Sequence, residues 1–70
     1  MEHIIDIRWD AEVSVWFAVC DTIPLALESA SFDDLIKRVK IVAPEILAEN
    51  NADTVSSRLY FRAERRESIA

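Results

Sequence analysis

The stretch HIIDIRWDAEVSVWFAVC, residues 3–20, decides the fold because its hydrophobic residues alternate twice, with a short polar break between the two runs. In the first run, residues 3–9, Ile5, Ile7 and Trp9 share one face, which is typical of a half-buried strand. Residues 10–12, Asp-Ala-Glu, interrupt the pattern and predict a hairpin turn without glycine, which the chain lacks. This stretch therefore predicts two strands joined as a hairpin.

The second strand, residues 13–20, has two faces of different composition. We assign its valine-rich face to the core because it matches Ile5, Ile7 and Trp9, the apolar face of the first strand. That face consists of Val13, Val15, Phe17 and Val19. Trp16, Ala18 and Cys20 are then predicted on the opposite, solvent-facing side.

Further along, residues 25–29 form a short third strand after a connector that ends at Pro24. Ser31 is the predicted N-cap of a helix that ends at residues 49–51, with its hydroxyl accepting from the Asp34 backbone N–H. Pro44 lies inside the helical pattern and predicts a kink near residues 41–43. The apolar stripe of this helix recurs every three or four residues; it comprises Phe32, Leu35, Ile36, Val39, Val42, Ala43, Ile46 and Leu47.

Alternation returns at residue 54 and predicts a fourth strand with an exposed basic face that includes Arg58, Tyr60 and Arg62. Residues 64–70 are predicted to be a frayed tail. The order β-β-β-α-β predicts an α+β two-layer sandwich, in which one kinked helix covers one face of an antiparallel sheet. Residues 1–63 form this single domain.

One helix can cover only one face of the sheet, so the other face needs a different explanation. An exposed aromatic patch on a small domain is typical of an interface. We therefore expect Trp16, Ala18 and Tyr60 to make apolar contacts with a partner. We also expect Trp16→Ala to weaken association while leaving the fold mostly intact. A chain of 70 residues with one cysteine cannot rely on a disulfide, so self-association as a dimer is expected.

The net charge of −5 is unevenly distributed. Residues 1–36 carry eight acids against one base, whereas residues 37–70 carry seven bases against five acids. An acidic surface attracts a basic protein and repels nucleic acid. Asp6, Asp21 and Glu28 are the predicted source of this electrostatic complementarity.

Several short motifs, taken together in order, resemble a small bacterial family of unknown function related to HicB, the antitoxin of HicA/HicB toxin–antitoxin modules. They are Trp9-Asp10, Val15-Trp16-Phe17-Ala18, Asp21-Thr22-Ile23-Pro24, Leu27-Glu28-Ser29-Ala30, Phe32-Asp33-Asp34-Leu35 and Ala43-Pro44-Glu45-Ile46-Leu47 with Asn50. The resemblance implies a HicB-like partial ribonuclease H fold. It also implies an antitoxin-like domain that neutralises a small basic toxin by protein–protein contact. The chain departs from the family pattern at Leu25, where a glycine is usual.

Enzymatic chemistry is not expected, and no cofactor is predicted. His3, read as an exposed strand-end residue, and Cys20, read as a small strand hydrophobe, are too few for a structural zinc site. Asp6 lies where a ribonuclease H-like metal ligand would lie, but no second acid must converge on it. No apolar run is long enough to span a membrane. With a lone thiol and no signal-peptide pattern, a cytoplasmic location is expected.

An alternative function is RNA or nucleic-acid binding through the last strand and tail. Arginines could contact phosphates there, and Tyr60 could stack on a base. The residues concerned are Arg58, Tyr60, Arg62, Arg65 and Arg66. Because the whole chain is acidic, nucleic acid is not the expected partner of this chain alone. A third possibility is an orphan dimeric domain without a toxin.

Overall fold

The computed structural model of the chain describes residues 1–50 and 56–69. Within them the elements are, in order, β1 (Glu2–Asp10), β2 (Val15–Cys20), β3 (Leu25–Ser29), α1 (Phe32–Glu49) and β4 (Arg58–Glu64). The predicted α+β sandwich of order β-β-β-α-β is confirmed. The predicted start of the fourth strand at residues 54–55 lies outside the described residues, as do residue 51 at the predicted helix end and residue 70 in the predicted tail.

The four strands form one sheet in the order β3-β2-β1-β4. β1 and β2 pair antiparallel, as do β2 and β3, but β4 pairs parallel to β1. The expectation of a fully antiparallel sheet is therefore wrong for the last strand. The helix between β3 and β4 returns the chain to the end of the sheet where β3 began, and such a crossover makes the following strand parallel.

The β1–β2 turn determines which side of β2 faces the core. It spans four residues, 11–14, because Asp10 pairs with Val15. The Asp10 carboxylate accepts from the Glu12 backbone N–H at 3.0 Å, and Ser14 adopts a left-handed φ of 54° in place of a glycine. A three-residue turn after Asp10 would have put Val15 opposite Trp9; the fourth turn residue puts Trp16 there and exchanges the two faces of β2.

The N-terminus of α1 is held by two serines and one aspartate. Ser31 is the N-cap, as predicted, and its Oγ accepts from the Asp34 N–H at 3.2 Å. Ser29 Oγ accepts from the Ser31 N–H at 3.1 Å and donates to the Asp34 carboxylate at 2.9 Å. These bonds fix the angle at which the helix leaves β3.

The core lies between α1 and one face of the sheet. α1 buries residues at four-residue steps, and they pack against the inward side chains of β1, β2 and β3. The buried hydrophobic residues are Ile5, Ile7, Ala18, Ile23, Leu25, Leu35, Val39, Ala43 and Leu47. The helix continues through Pro44 as one unbroken element. A kink near residues 41–43 stays a prediction.

Candidate functional site

The sheet face opposite α1 is covered by no element among the described residues. It presents Ile4 on β1, Phe17 and Val19 on β2 and Tyr60 on β4. Ile4, Val19 and Tyr60 are 40%, 37% and 53% exposed, and Phe17 is half-buried. Tyr60 lies directly beside Ile4, and Val19 lies diagonally from Ile4 through its pairing with Asp6, so the apolar residues cross three strands as one patch. We call Ile4, Phe17, Val19 and Tyr60 the open-face patch.

The prediction that Trp16 and Ala18 lie on this open face is wrong. Ala18 is completely buried opposite Ile7, and the Trp16 ring packs against the core, with its centroid 5.1 Å from that of Phe32. Cys20 also lies on the helix side. The cause is the four-residue turn, which brings the even-numbered residues of β2 beneath the helix. Tyr60 remains on the open face as predicted.

The three predicted acidic residues do not form one cluster. Asp6 and Asp21 line the same depression on the open face, together with Ile4 and Arg62. The Asp6 carboxylate pairs with the Arg62 guanidinium at 2.8 Å, so its charge is already partly balanced. Glu28 lies apart from them on β3, at the other edge of the open face, where it pairs with Phe17 of β2.

The predicted arginine set is also divided. Arg58 and Arg62 flank Tyr60 on the open face of β4, whereas Arg65 and Arg66 follow the strand. Arg66 pairs with Glu64 at 3.4 Å, and Arg65 pairs with Glu67. Within the described residues, Arg62, Arg65 and Arg66 have carboxylate partners, which leaves less free positive charge than the sequence suggested.

His3 is buried, with 3% exposure, so the expectation of an exposed strand-end residue is wrong. Its Nδ1 lies 2.6 Å from the Thr22 hydroxyl, which also lies 3.2 Å from the Cys20 sulfur. His3 Nε2 is buried, and no hydrogen-bond partner for it is found in the described part of the chain. The histidine thus contacts the connector that precedes β3, in which Ile23 is also buried.

Outside the open face, aromatic rings gather at the end of the sheet where α1 begins. The Trp9 and Trp16 centroids are 5.2 Å apart in an edge-to-face arrangement. The Arg65 guanidinium lies over Trp9, with its carbon 4.1 Å from the ring centroid, and 5.5 Å from that of Trp16. A cleft of about 320 Å³ adjoins this contact, lined by Arg8, Trp9, Ala11, Glu64, Arg65 and Arg66.

Comparison with known families gives one match over almost the whole sequence. Residues 2–70 match the profile of a family described as Domain of unknown function (DUF1902). The chain belongs to this family. The chain is also similar to a hypothetical protein from the extremely thermophilic bacterium Thermus thermophilus, whose crystal structure is known; the identity is 27% and the TM-score 0.69, covering 100% of this chain and 99% of that one. No curated protein matches the sequence.

In this DUF1902 chain, the described residues contain no group of three or more His, Cys, Asp and Glu side chains that could hold a metal ion. Likewise, none of the helices within residues 1–50 and 56–69 combines the length and apolar character that crossing a bilayer requires.

Two features of this DUF1902 chain escaped sequence reasoning. From the sequence, Phe17 and Val19 were assigned to the core. Knowing the length of the β1–β2 turn would have assigned them to the open face instead. The contact between Arg65 and Trp9 joins residues far apart in sequence. No periodic signal reports such a contact.

Proposed function

We propose that this protein is a non-catalytic, cytoplasmic protein-binding module of the HicB antitoxin kind, which dimerises through its open face and binds a small basic protein. The observation that carries the proposal is the open-face patch, in which three hydrophobic side chains are each more than one-third exposed on an uncovered sheet. A contiguous apolar patch on a domain this small favours association, because removing it from water is stabilising.

The position of the apolar residues favours a second copy of the chain as the occupant of the open face, because Ile4, Phe17 and Val19 lie on the two central strands, β1 and β2. β3 and β4 are the two edges of the sheet. A two-fold axis parallel to the strands, placed between two open faces, therefore lays β4 of one copy over β3 of the other. This arrangement brings Ile4, Phe17 and Val19 of the two copies together in the middle, while Glu28 of one copy lies level with Glu64 of the other and two residues along β4 from Arg62.

The basic partner is proposed on two grounds. The resemblance to HicB implies a small basic toxin, and eight of the thirteen acids lie within residues 1–36. Asp21 and Glu28 are exposed, so their charges remain available outside the dimer contact or at its rim. A neighbouring gene encoding a basic protein of about 60–90 residues, the size of a minimal single-core domain, would supply the candidate.

Sedimentation equilibrium of two matched variants tests the dimer. Val19→Asp places a charge in the open-face patch, whereas Val13→Asp makes the same change at an exposed valine in the β1–β2 turn. We expect the wild type and Val13→Asp to dimerise at micromolar concentration, and Val19→Asp to dissociate at least tenfold more easily. A monomeric wild type, or equal weakening by both substitutions, would contradict the proposal.

Isothermal titration with the product of the neighbouring gene tests the basic partner. We expect binding that weakens as salt rises and that Asp21→Asn together with Glu28→Gln reduces. If titration with a folded basic partner gives no heat of binding, the antitoxin-like function is contradicted. The dimer proposal is not affected by that result.

The alternative, nucleic-acid binding, is favoured by one observation. Arg58 and Arg62 flank the half-exposed Tyr60 on a single face of β4, an arrangement suited to base stacking with phosphate contacts. Fluorescence anisotropy with a labelled single-stranded RNA would show binding at low salt that falls steeply as salt rises. Absence of binding at low salt would eliminate this function.

A further inference from the structure

The aromatic cluster at the end of the sheet has a geometry suited to a cation. Trp9 comes from β1, Trp16 from β2 and Phe32 from the first turn of α1, and each neighbouring pair of rings packs edge-to-face. Indole rings carry negative potential on their faces and therefore attract cations. The planar guanidinium of arginine also stacks on such a face, so arginine is the side chain that best suits a pair of indoles. Both tryptophans of the chain lie in this cluster.

In the free chain a cation already lies there. The Arg65 guanidinium stacks 4.1 Å from the Trp9 centroid while 42% of its side chain remains exposed. Residues 65–69 have no regular secondary structure and are exposed, and the Arg65 carboxylate partner, Glu67, belongs to the same segment. None of the buried core residues belongs to this segment, so removing Arg65 from the rings would leave the core packing unchanged.

The adjoining cleft supplies the second element of a binding site. Its wall includes the rings of Trp9 and four charged residues, Arg8, Glu64, Arg65 and Arg66. Glu64 pairs with Arg66 at 3.4 Å and lies beside Arg8 in the β1–β4 register. An incoming arginine that replaces Arg65 leaves the charge of the cleft unchanged and stacks on the indole beside Glu64, so the rings supply most of the attraction.

We propose that Trp9 and Trp16 form a recognition site for an arginine side chain of a basic partner protein, and that Arg65 occupies this site in the free chain as an intramolecular competitor. This inference rests on the proposed function, since it names the chemistry by which the basic partner is recognised. The two rings lie on the helix side of the sheet, whereas Ile4, Phe17, Val19 and Tyr60 lie on the other side, so the rings are separate from the open-face patch. Partner binding displaces Arg65 and residues 65–69 with it.

Tryptophan fluorescence tests the site directly because every tryptophan of the chain reports on it. The probe is N-acetyl-arginine amide, titrated at millimolar concentration against sodium chloride at the same ionic strength. In Arg65→Ala the competitor is absent, so we expect about fivefold tighter binding of the probe than in the wild type. Lys40→Ala is the matched control, since it removes one exposed positive charge on α1 that does not line the cleft, and it should behave as the wild type.

Arg65→Gln serves as a second variant, with circular dichroism to verify that each variant is folded. Equal fluorescence responses to the probe and to sodium chloride would overturn the inference. So would equal affinities of the probe for Arg65→Gln, Lys40→Ala and the wild type. The Val19→Asp variant should retain probe binding, so loss of the arginine site and loss of the dimer are distinguishable outcomes.

Discussion

Trp9 lies directly opposite Trp16 across the β1–β2 pair, and the two indole centroids are 5.2 Å apart. This pairing follows from the four-residue turn and places both rings on the helix side of the sheet. Trp16 extends the contact to Phe32 at the start of α1, so one aromatic chain links the hairpin to the helix. The register of the first two strands and the position of the helix are therefore coupled through Trp16.

Truncating Trp16 should destabilise the fold, which reverses the sequence-based expectation for this residue. Trp16→Ala removes contacts with Trp9, Phe32 and the core, and we expect it to lower the free energy of unfolding by about 2 kcal/mol or more. Tyr60→Ala, on the open face, should change it by about 0.5 kcal/mol or less. Urea denaturation followed by circular dichroism measures both; equal losses would contradict the face assignment.

The sequence predicted the order of elements because each element has its own local signal. Alternation identified the strands, the Ser31 cap and the four-residue apolar steps identified α1, and Pro24 separated β2 from β3. These signals depend on neighbouring residues only. They are independent of how the strands pair.

Face assignment and strand direction could not be predicted in the same way. The side of β2 that meets the core depends on whether the turn has an odd or even number of residues. The turn length was hard to predict because the residue with positive φ is Ser14, and not a glycine or asparagine, which are the usual signals of that conformation. The burial of His3 depends on its contact with Thr22, from another part of the chain. Thus Tyr60 was placed correctly on the open face, whereas Trp16 and Ala18 were not.

Ser14 stores backbone strain that glycine would relieve. Its φ of 54° lies in the left-handed region, where a side chain with a Cβ crowds the backbone at a cost of about 1 kcal/mol. Ser14→Gly should raise the free energy of unfolding by about 0.5 kcal/mol or more, and Ser14→Val should lower it because a β-branched residue is poorly tolerated there. Thermal melts of the two variants would show opposite shifts in Tm. A stabilised valine variant would be inconsistent with this turn geometry.

Thr22 satisfies one nitrogen of the buried His3. Thr22→Val keeps the shape of the side chain but removes the hydroxyl that lies 2.6 Å from His3 Nδ1. A buried polar atom without a partner costs about 1–3 kcal/mol, so we expect a loss of stability in this range. Thr22→Ser retains the hydroxyl and should be close to the wild type. Chemical denaturation of both variants provides the comparison, and a valine variant as stable as the serine variant would show that the hydrogen bond contributes nothing.

The ion pair between Asp6 and Arg62 should contribute little to stability. Arg62 is 59% exposed and Asp6 23%, so water and salt screen much of the attraction despite the 2.8 Å distance. We expect Asp6→Asn to cost less than about 1 kcal/mol at low salt and still less at high salt. A double-mutant cycle with Arg62→Gln measures the coupling. A coupling energy above about 2 kcal/mol that persists in high salt would mean that the pair is structurally essential.

Pro44 weakens the helix that covers the core. Proline has no N–H to donate to the carbonyl four residues earlier, and its ring crowds that carbonyl, yet α1 continues through it as one element. The Pro44 side chain is exposed, so replacing it loses little packing. Pro44→Ala should therefore stabilise the domain by about 1 kcal/mol or more, as part of the roughly 3 kcal/mol cost of an interior proline is recovered.

Glu45→Ala, at the next exposed position, is the control for alanine substitution alone. If Pro44→Ala melts at a lower temperature than the wild type, the ring must support the helix through its contact with the apolar crevice formed by Leu47 and Leu59.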